Sequence, residues 1–294
     1  MESAILRTVL YADIFDYPLT IEELYQYLIG HKAASSQQIE KLLTSSQRLQ
    51  ALLHQQKGYI VLQTRTELIE HRLQRQAQAA PLLDSAKRYG RWFALLPFVR
   101  MVAITGAVAM ANPSRPDDDI DYMLIVEPGR VWLTRALAII IVRLARLRGV
   151  ELCPNYVLAA DQLPQTRTDL YVAHELAQML PIYGYDVYCQ LLAANRWAWQ
   201  MLPNHSAQPP SSLSSIETRP RIKHVMERLL SGQLGKLLDA LEYRRRSARF
   251  RQRANGQAAA IIDVHTVKGH FCDHGQRILE AYYERLARYN VPPA

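Results

Sequence analysis

The chain has 294 residues, of which 35 are basic and 27 acidic, for a formal charge of +8 with neutral histidines. Hydrophobic residues make up 49% and charged residues 21%, enough apolar material for a packed core, so wholesale disorder is excluded. The length fits two modest domains better than one.

Residues 3–14 carry helical spacing in Ile5, Val9, Leu10 and Ile14, and Asp16-Tyr17-Pro18 ends that helix because proline disfavours helix at the residue before it. Thr20-Ile21-Glu22-Glu23 reads as a capping box opening a short helix to about Ile29. Ser35 and Ser36 cap a third helix, predicted over 36–53 with a break or continuation near Ser45, and Gly58–Leu62 is strand-like. Three short helices and a strand in the span 1–64 resemble a winged helix-turn-helix, whose third helix here carries only Lys41 and Arg48 against Glu40. That is a thin charge for reading a DNA groove.

Residues 65–99 are predicted as connecting helices broken at Pro81. A strand over 100–105, a turn at Gly106 into a short helix at 107–111, a Pro- and Asp-rich loop, and a strand over 119–126 follow. A helix over 130–148 and a strand over 150–158 come next, then helices at about 168–179 and 185–202. The Ser- and Pro-rich stretch 203–218 reads as a linker. The rest, 219–294, reads as mainly helical at 219–250 and 273–289, with a possible strand at Ala260–Val264. The fold class expected is α+β: a small mixed sheet flanked by helices at 100–202, a winged-helix-like N-terminal module and a helical C-terminal region.

The first apolar stretch is interrupted by Arg7, Asp13 and Asp16 and lacks the uncharged core of a secretory signal. The most apolar run, Ala136–Val142, is far shorter than the roughly 20 residues of a spanning helix. Cys153, Cys189 and Cys272 are too scattered for a disulfide framework. A cytoplasmic protein without membrane contact is therefore expected.

The positive charge is concentrated. Residues 219–253 hold eleven Lys and Arg against three acidic residues, which accounts for the whole net charge, and the density peaks at Arg244, Arg245, Arg246, Arg249, Arg251 and Arg253. Guanidinium groups pair bidentately with phosphate oxygens, so a nucleic-acid or nucleotide partner is one expectation. A solvated helix end or an acidic-partner contact is the plainer one.

Asp119-Ile120-Asp121 opens the strand that follows Gly106. Residues two apart on a strand point the same way, so the two carboxylates project together and repel. A divalent cation offsets that repulsion, and Mg²⁺ prefers hard oxygen ligands. Asp117 and Asp118 read as solvated loop residues.

Val102-Ala-Ile-Thr-Gly-Ala-Val-Ala-Met110 followed by Asp118-Asp-Ile-Asp-Tyr-Met-Leu-Ile-Val126 resembles the nucleotidyltransferase superfamily of the DNA polymerase β type, over about residues 100–158. Leu152-Cys-Pro-Asn-Tyr156 and Ala194-Asn-Arg-Trp197 resemble a bacterial group of such proteins with a winged-helix-like segment in front. The resemblance implies that Gly106 and Ala107 lie at the triphosphate of an NTP, and that Asp119 and Asp121 ligate two Mg²⁺ ions. It also implies a third carboxylate on the later strand as base or ligand. Glu151 occupies that place, with Asp161 a weaker candidate past the strand. The family carries serine after the glycine; Ala107 here removes a hydrogen bond worth roughly 0.5–1.5 kcal/mol.

His270-Phe-Cys-Asp-His274 has donors at helical spacing but no evident fourth ligand, and His174-Glu175-Leu-Ala-Gln178 starts like a zinc-protease helix but ends in Gln. Tyr183, Tyr185, Tyr188, Trp197 and Trp199 read as packing residues, with base stacking the alternative. Lys268 is a candidate for reaching phosphate. Two functions are expected: Mg²⁺-dependent transfer of a nucleoside monophosphate from an NTP to an acceptor hydroxyl, or a non-catalytic nucleotidyltransferase-like protein that binds nucleic acid or regulates.

Overall fold

The computed structural model describes residues 1–205, 220–254, 262–268 and 274–294, without the side chains of residue 220 and residues 249–254. Local caps set the N-terminal elements: α1 (Glu2–Asp13), β1 (Leu19–Thr20), α2 (Ile21–Gln26), α3 (Ser36–Ser45), α4 (Gln47–Leu52), β2 (Leu53–Gln56) and β3 (Tyr59–Leu62). The Thr20 hydroxyl accepts from the Glu23 amide at 3.2 Å and the Glu23 carboxylate accepts from the Thr20 amide at 2.9 Å, so both orphan donors are satisfied. Ser35 and Gln38 repeat this device on α3. Ser46 caps α4 and so splits the expected 36–53 helix in two. The three strands form an antiparallel sheet in the order β1-β3-β2, the wing of a winged-helix-like module.

The connecting segment differs from the expected broken helix. One helix, α5 (Leu68–Ala94), runs straight through Pro81. Pro81 lacks an N–H for the carbonyl of Ala77, but both residues lie on the exposed face, where water can serve that carbonyl.

The central layer comes from β4 (Val99–Thr105), α6 (Gly106–Ala109), β5 (Ile120–Val126), α7 (Val131–Arg146), β6 (Leu152–Ala159), α8 (Leu170–Gln178), β7 (Leu180–Tyr183), α9 (Tyr185–Ala194) and α10 (Ala198–Met201). The C-terminal part adds α11 (Pro220–Leu230), α12 (Gln233–Ala254), β8 (Thr266–Lys268) and α13 (His274–Arg288). The five-stranded sheet has the order β7-β4-β5-β6-β8 and is mixed: β5 and β6 are parallel, joined through α7, and the other pairs are antiparallel. The expected helix over 185–202 is broken at Asn195–Trp197, and that over 219–250 at Ser231–Gly232. The possible strand at 260–264 is displaced to β8, with Ile262 only bridging Val267; residues 260 and 261 lie outside the described part. So does 206–219, most of the expected linker.

Both faces of the sheet are buried. Val102, Ile104, Ile120, Tyr122 and Leu124 pack under α5 and α7, while Met101, Ala103, Met123 and Ile125 belong to the core shared with α8, α9 and the N-terminal module. The C-terminal helices are tied on by buried polar groups. Lys223 of α11 donates to the carbonyls of Ala94 (3.0 Å) and Val99 (2.6 Å) and to the Tyr183 hydroxyl (3.1 Å). Asp239 of α12 accepts from the Leu133 amide at 2.8 Å. No helix among the described residues is long and apolar enough to cross a membrane.

Arg72 of α5 is 2% exposed and holds three pieces of chain at once. It donates to the carbonyls of Met110 (3.0 Å) and Ala111 (3.1 Å), to the Tyr17 hydroxyl (2.7 Å) and to the Glu23 carboxylate (2.9 Å). Removing one partner of a buried pair strands the other groups without partners. Arg72→Ala is therefore expected to lower unfolding free energy by about 3 kcal/mol or more in chemical denaturation. Lys57→Ala, which breaks the exposed pair with Glu70, should cost under about 1 kcal/mol; equal losses would contradict the role given to Arg72.

Candidate functional site

Asp119 and Asp121 stand at the mouth of β5, where alternation sends both side chains the same way. Their carboxylates and the Cys153 thiol all lie within 4.8 Å of one another. The parallel register of β5 with β6 pairs Asp121 with Cys153 and explains the third member. Asn155, two residues further on β6, donates to Asp121 Oδ1 at 2.7 Å.

Gly106 is required here on two grounds. Its φ of +68° lies in the left-handed region, and a Cβ at that position would sit 2.5 Å from Asp121 Oδ2. The backbone turn after β4 is thus pressed directly onto the carboxylate. Ala107 follows it in α6 and is exposed.

Burial pushes the Asp121 carboxyl up to about 7, and the Asp119 charge adds to that; hydrogen bonds from Cys153 and Asn155 pull the other way, and Glu175 contributes a further rise. Cys153 is pushed up to about 12 by burial and by the two aspartates, so its thiol stays protonated and donates to Asp121. The donor set therefore fits a hard ion. Mg²⁺ is typically held by one or two carboxylates while water and phosphate oxygens complete its shell. Without metal the Cys153 thiol is a hydrogen-bond donor to Asp121, and its sulfur is the third atom within reach of an ion held by the two aspartates.

Glu151 stands apart from the two aspartates. It lies just before β6, exposed, with its carboxylate held by Arg146 in a bidentate pair (Nε–Oε1 2.9 Å, Nη2–Oε2 2.7 Å). That pairing pulls its pKa below the usual carboxylate range. The structure does not bring it into the Asp119–Asp121–Cys153 group. Asp161 lies 3.9 Å from His265, away from that group. Asp117 faces Arg115 at 3.6 Å, and Asp118 accepts from the Ser114 amide at 2.6 Å, both on the exposed loop.

Charged groups flank the site from other elements: the Arg135 charge of α7 is felt at Cys153, and Glu175 and Lys268 approach from α8 and β8. Glu175 of α8 accepts from the Tyr171 hydroxyl at 3.1 Å and lies 3.7 Å from Lys268 of β8. Lys268 lines a small crevice with Asn155, Thr105 and Glu175. Sequence reasoning did not single out Cys153, Asn155 or Glu175 for a role at the site; even spacing along β6 was the available signal for the first two. His174, beside Glu175, is buried, stacked on Tyr11 at 4.0 Å, with burial holding its pKa down to about 4.

On α12, Arg245 and Arg246 both pair with Glu242 and Arg244 is exposed. The side chains of Arg249, Arg251 and Arg253 lie outside the described residues, as do His270 and Cys272. Tyr188 is buried, Tyr183 and Trp197 and Trp199 are half-buried, and Tyr185 is exposed. No family model, curated protein or solved structure matches the chain.

The raised Asp121 carboxyl has a definite consequence for stability. Its contribution is complete below its ordinary value of 3.8 and is lost as pH rises through about 7, because folding then holds a buried charge beside Asp119. Without divalent metal, the wild-type melting temperature is expected to fall by several degrees between pH 4 and 8 relative to Asp121→Asn. Mg²⁺ should restore it mainly at the upper end. Parallel pH profiles for the two proteins would refute this burial of charge.

Proposed function

We propose that this chain is a Mg²⁺-dependent nucleotidyltransferase of the DNA polymerase β type, moving a nucleoside monophosphate from an NTP to an acceptor hydroxyl. The observation that carries the reading is the apposition of a side-chain-free turn at Gly106 to the Asp121 carboxylate, with Asp119 alongside. Two adjacent carboxylates, one exposed and one half-buried, beside a backbone turn suit a divalent cation with hard oxygen ligands.

Asp119 and Asp121 would hold the metal, which neutralises triphosphate charge when bound. The chain's own residues do the rest. Asn155 and Cys153 fix the rotamer of Asp121 by donating to it. The missing side chain at Gly106 lets the Asp121 carboxylate pack against the turn that follows β4. Lys268, on the far side of Asn155 and Thr105, supplies a cation near the same cleft. In the transfer, the acceptor oxygen bonds to the α-phosphorus, the bond from that phosphorus to the departing pyrophosphate breaks, and the hydroxyl proton is released to solvent.

A second reading, nucleotide binding without transfer, is favoured by one feature. The third member of the acidic group is a thiol, and the one carboxylate expected to complete it is engaged by Arg146.

Pyrophosphate release with each NTP and Mg²⁺ distinguishes the readings. Transfer predicts release that falls by a factor on the order of a hundred or more in Asp119→Asn and Asp121→Asn. Glu151→Gln should stay within about twofold of wild type, since its carboxylate is occupied elsewhere, and Cys153→Ser should retain most activity because a hydroxyl can donate in its place. Metal-dependent binding of a non-hydrolysable NTP with no pyrophosphate release from any NTP would select the second reading.

A further inference from the structure

A cavity of about 190 Å³ runs from the Thr105-Gly106-Ala107 turn to the N-terminal module. Its walls are largely aromatic: Tyr11 and Tyr27 from the module, and Tyr171 and His174 from α8. It adjoins the acidic pair, since Gly106 lines it and the Asp121 carboxylate packs against that same residue.

Size and charge limit what fits. A dry apolar void of about 150 Å³ accepts a benzene ring, whereas pockets for drug-sized ligands begin near 300 Å³. A space of about 190 Å³, open on one side, takes one ring with a short substituent. Among the described residues lining it there is no lysine or arginine, and Glu175, whose carboxylate lies 3.7 Å from Lys268, is the one charged side chain. Buried His174 is neutral at physiological pH. Binding of a polyanion calls for cations that this cavity lacks. Aromatic faces and a carboxylate favour a neutral or cationic guest.

We propose that this cavity is the acceptor pocket, and that the acceptor is a small, neutral or cationic compound carrying a single ring and a hydroxyl group, not a nucleic-acid end. The role as acceptor rests on the transferase reading; the binding does not. The N-terminal module is then a wall of the substrate pocket. The acceptor's ring lies among Tyr11, Tyr27 and His174, its polar substituent is met by Glu175, and its hydroxyl is directed towards the Gly106 turn.

The test separates binding from transfer. Ligand-observed NMR on the full chain, without metal or NTP, would compare tyramine, 4-hydroxybenzyl alcohol, 4-hydroxybenzoate and a short single-stranded oligonucleotide. Tyramine and the neutral alcohol are expected to bind wild type and Asp121→Asn, with 4-hydroxybenzoate at least tenfold weaker. Glu175→Gln should erase most of the preference for tyramine over 4-hydroxybenzoate while leaving the alcohol bound. Ala12→Phe, which fills the cavity from α1, should weaken all ring compounds at least tenfold in protein that melts cooperatively. If that variant does not fold, the charge preference in Glu175→Gln decides.

Failure of every ring compound to bind, or anion and oligonucleotide binding that matches tyramine, overturns the proposal. Ring binding without pyrophosphate release under any NTP leaves the pocket standing as a binding site and removes both the transferase reading and the acceptor role.

Discussion

One guanidinium joins the parts that surround the cavity. Arg72 comes from the helix between the N-terminal module and the sheet, and its donors end on Tyr17 and Glu23 of the module and on the carbonyls of Met110 and Ala111 just past α6. Desolvating a guanidinium is costly, and the planar fork recovers that cost only where several acceptors converge at fixed angles. Here the guanidinium also lies 3.8 Å over the Tyr17 ring, and the Tyr17 hydroxyl donates a hydrogen bond to Glu23 at 2.5 Å. The arrangement has little tolerance for displacement of any partner. The end of the turn that carries Gly106 is thereby referenced to α2, and the module cannot drift without breaking a buried network. A cavity bounded by both has a defined shape for that reason.

The second constraint is local and opposes folding. Asp121 is buried next to another carboxylate and against bare backbone, an arrangement that disfavours its ionised form. The structure offsets part of this with two donors from one strand, Cys153 and Asn155, and leaves the remainder uncompensated. Proteins retain such local penalties where a site needs them, and the rest of the fold absorbs the cost. Gly106 shows how tightly the penalty is built in: even a methyl group there would collide with the carboxylate oxygen.

What was legible in the sequence was what depends on near neighbours. Alternating apolar residues marked β4, β5 and β6, capping boxes marked α2 and α3, and the two-residue spacing of the aspartates marked their shared direction. What was not legible depends on competition or distance. Glu151 sits where a third carboxylate would stand, but Arg146, five residues before it across a turn, claims both its oxygens. β2 was hidden because Leu53 reads as the end of a helix and His54-Gln55-Gln56 as a polar turn without alternation, and only pairing with β3 makes the segment a strand. β7 was hidden by Pro181, which an edge strand tolerates and a central one does not. The cavity had no signature at all, since Tyr11 and His174 meet only through tertiary packing.

The distribution of charge over the two faces of the sheet bears on function more than the net value does. The basic α12 packs against α7, with Tyr243 edge-on to Trp132, on the face that buries Val102 and Ile104. The cavity lies on the opposite face, with Met101 and Ala103, under α8 and the N-terminal module. Composition alone would assign the arginines to the substrate, because they account for the entire surplus. The packing of α12 on α7 puts that helix on the other face of the sheet from the cavity. Arg245 and Arg246 are moreover shared with Glu242, which reduces the field they project. The basic helix and the cavity are thus separate surfaces of this fold. A salt-sensitive affinity for nucleic acid would report on the first without bearing on the acceptor pocket proposed above, whose selectivity would follow from its size, its aromatic residues and its carboxylate.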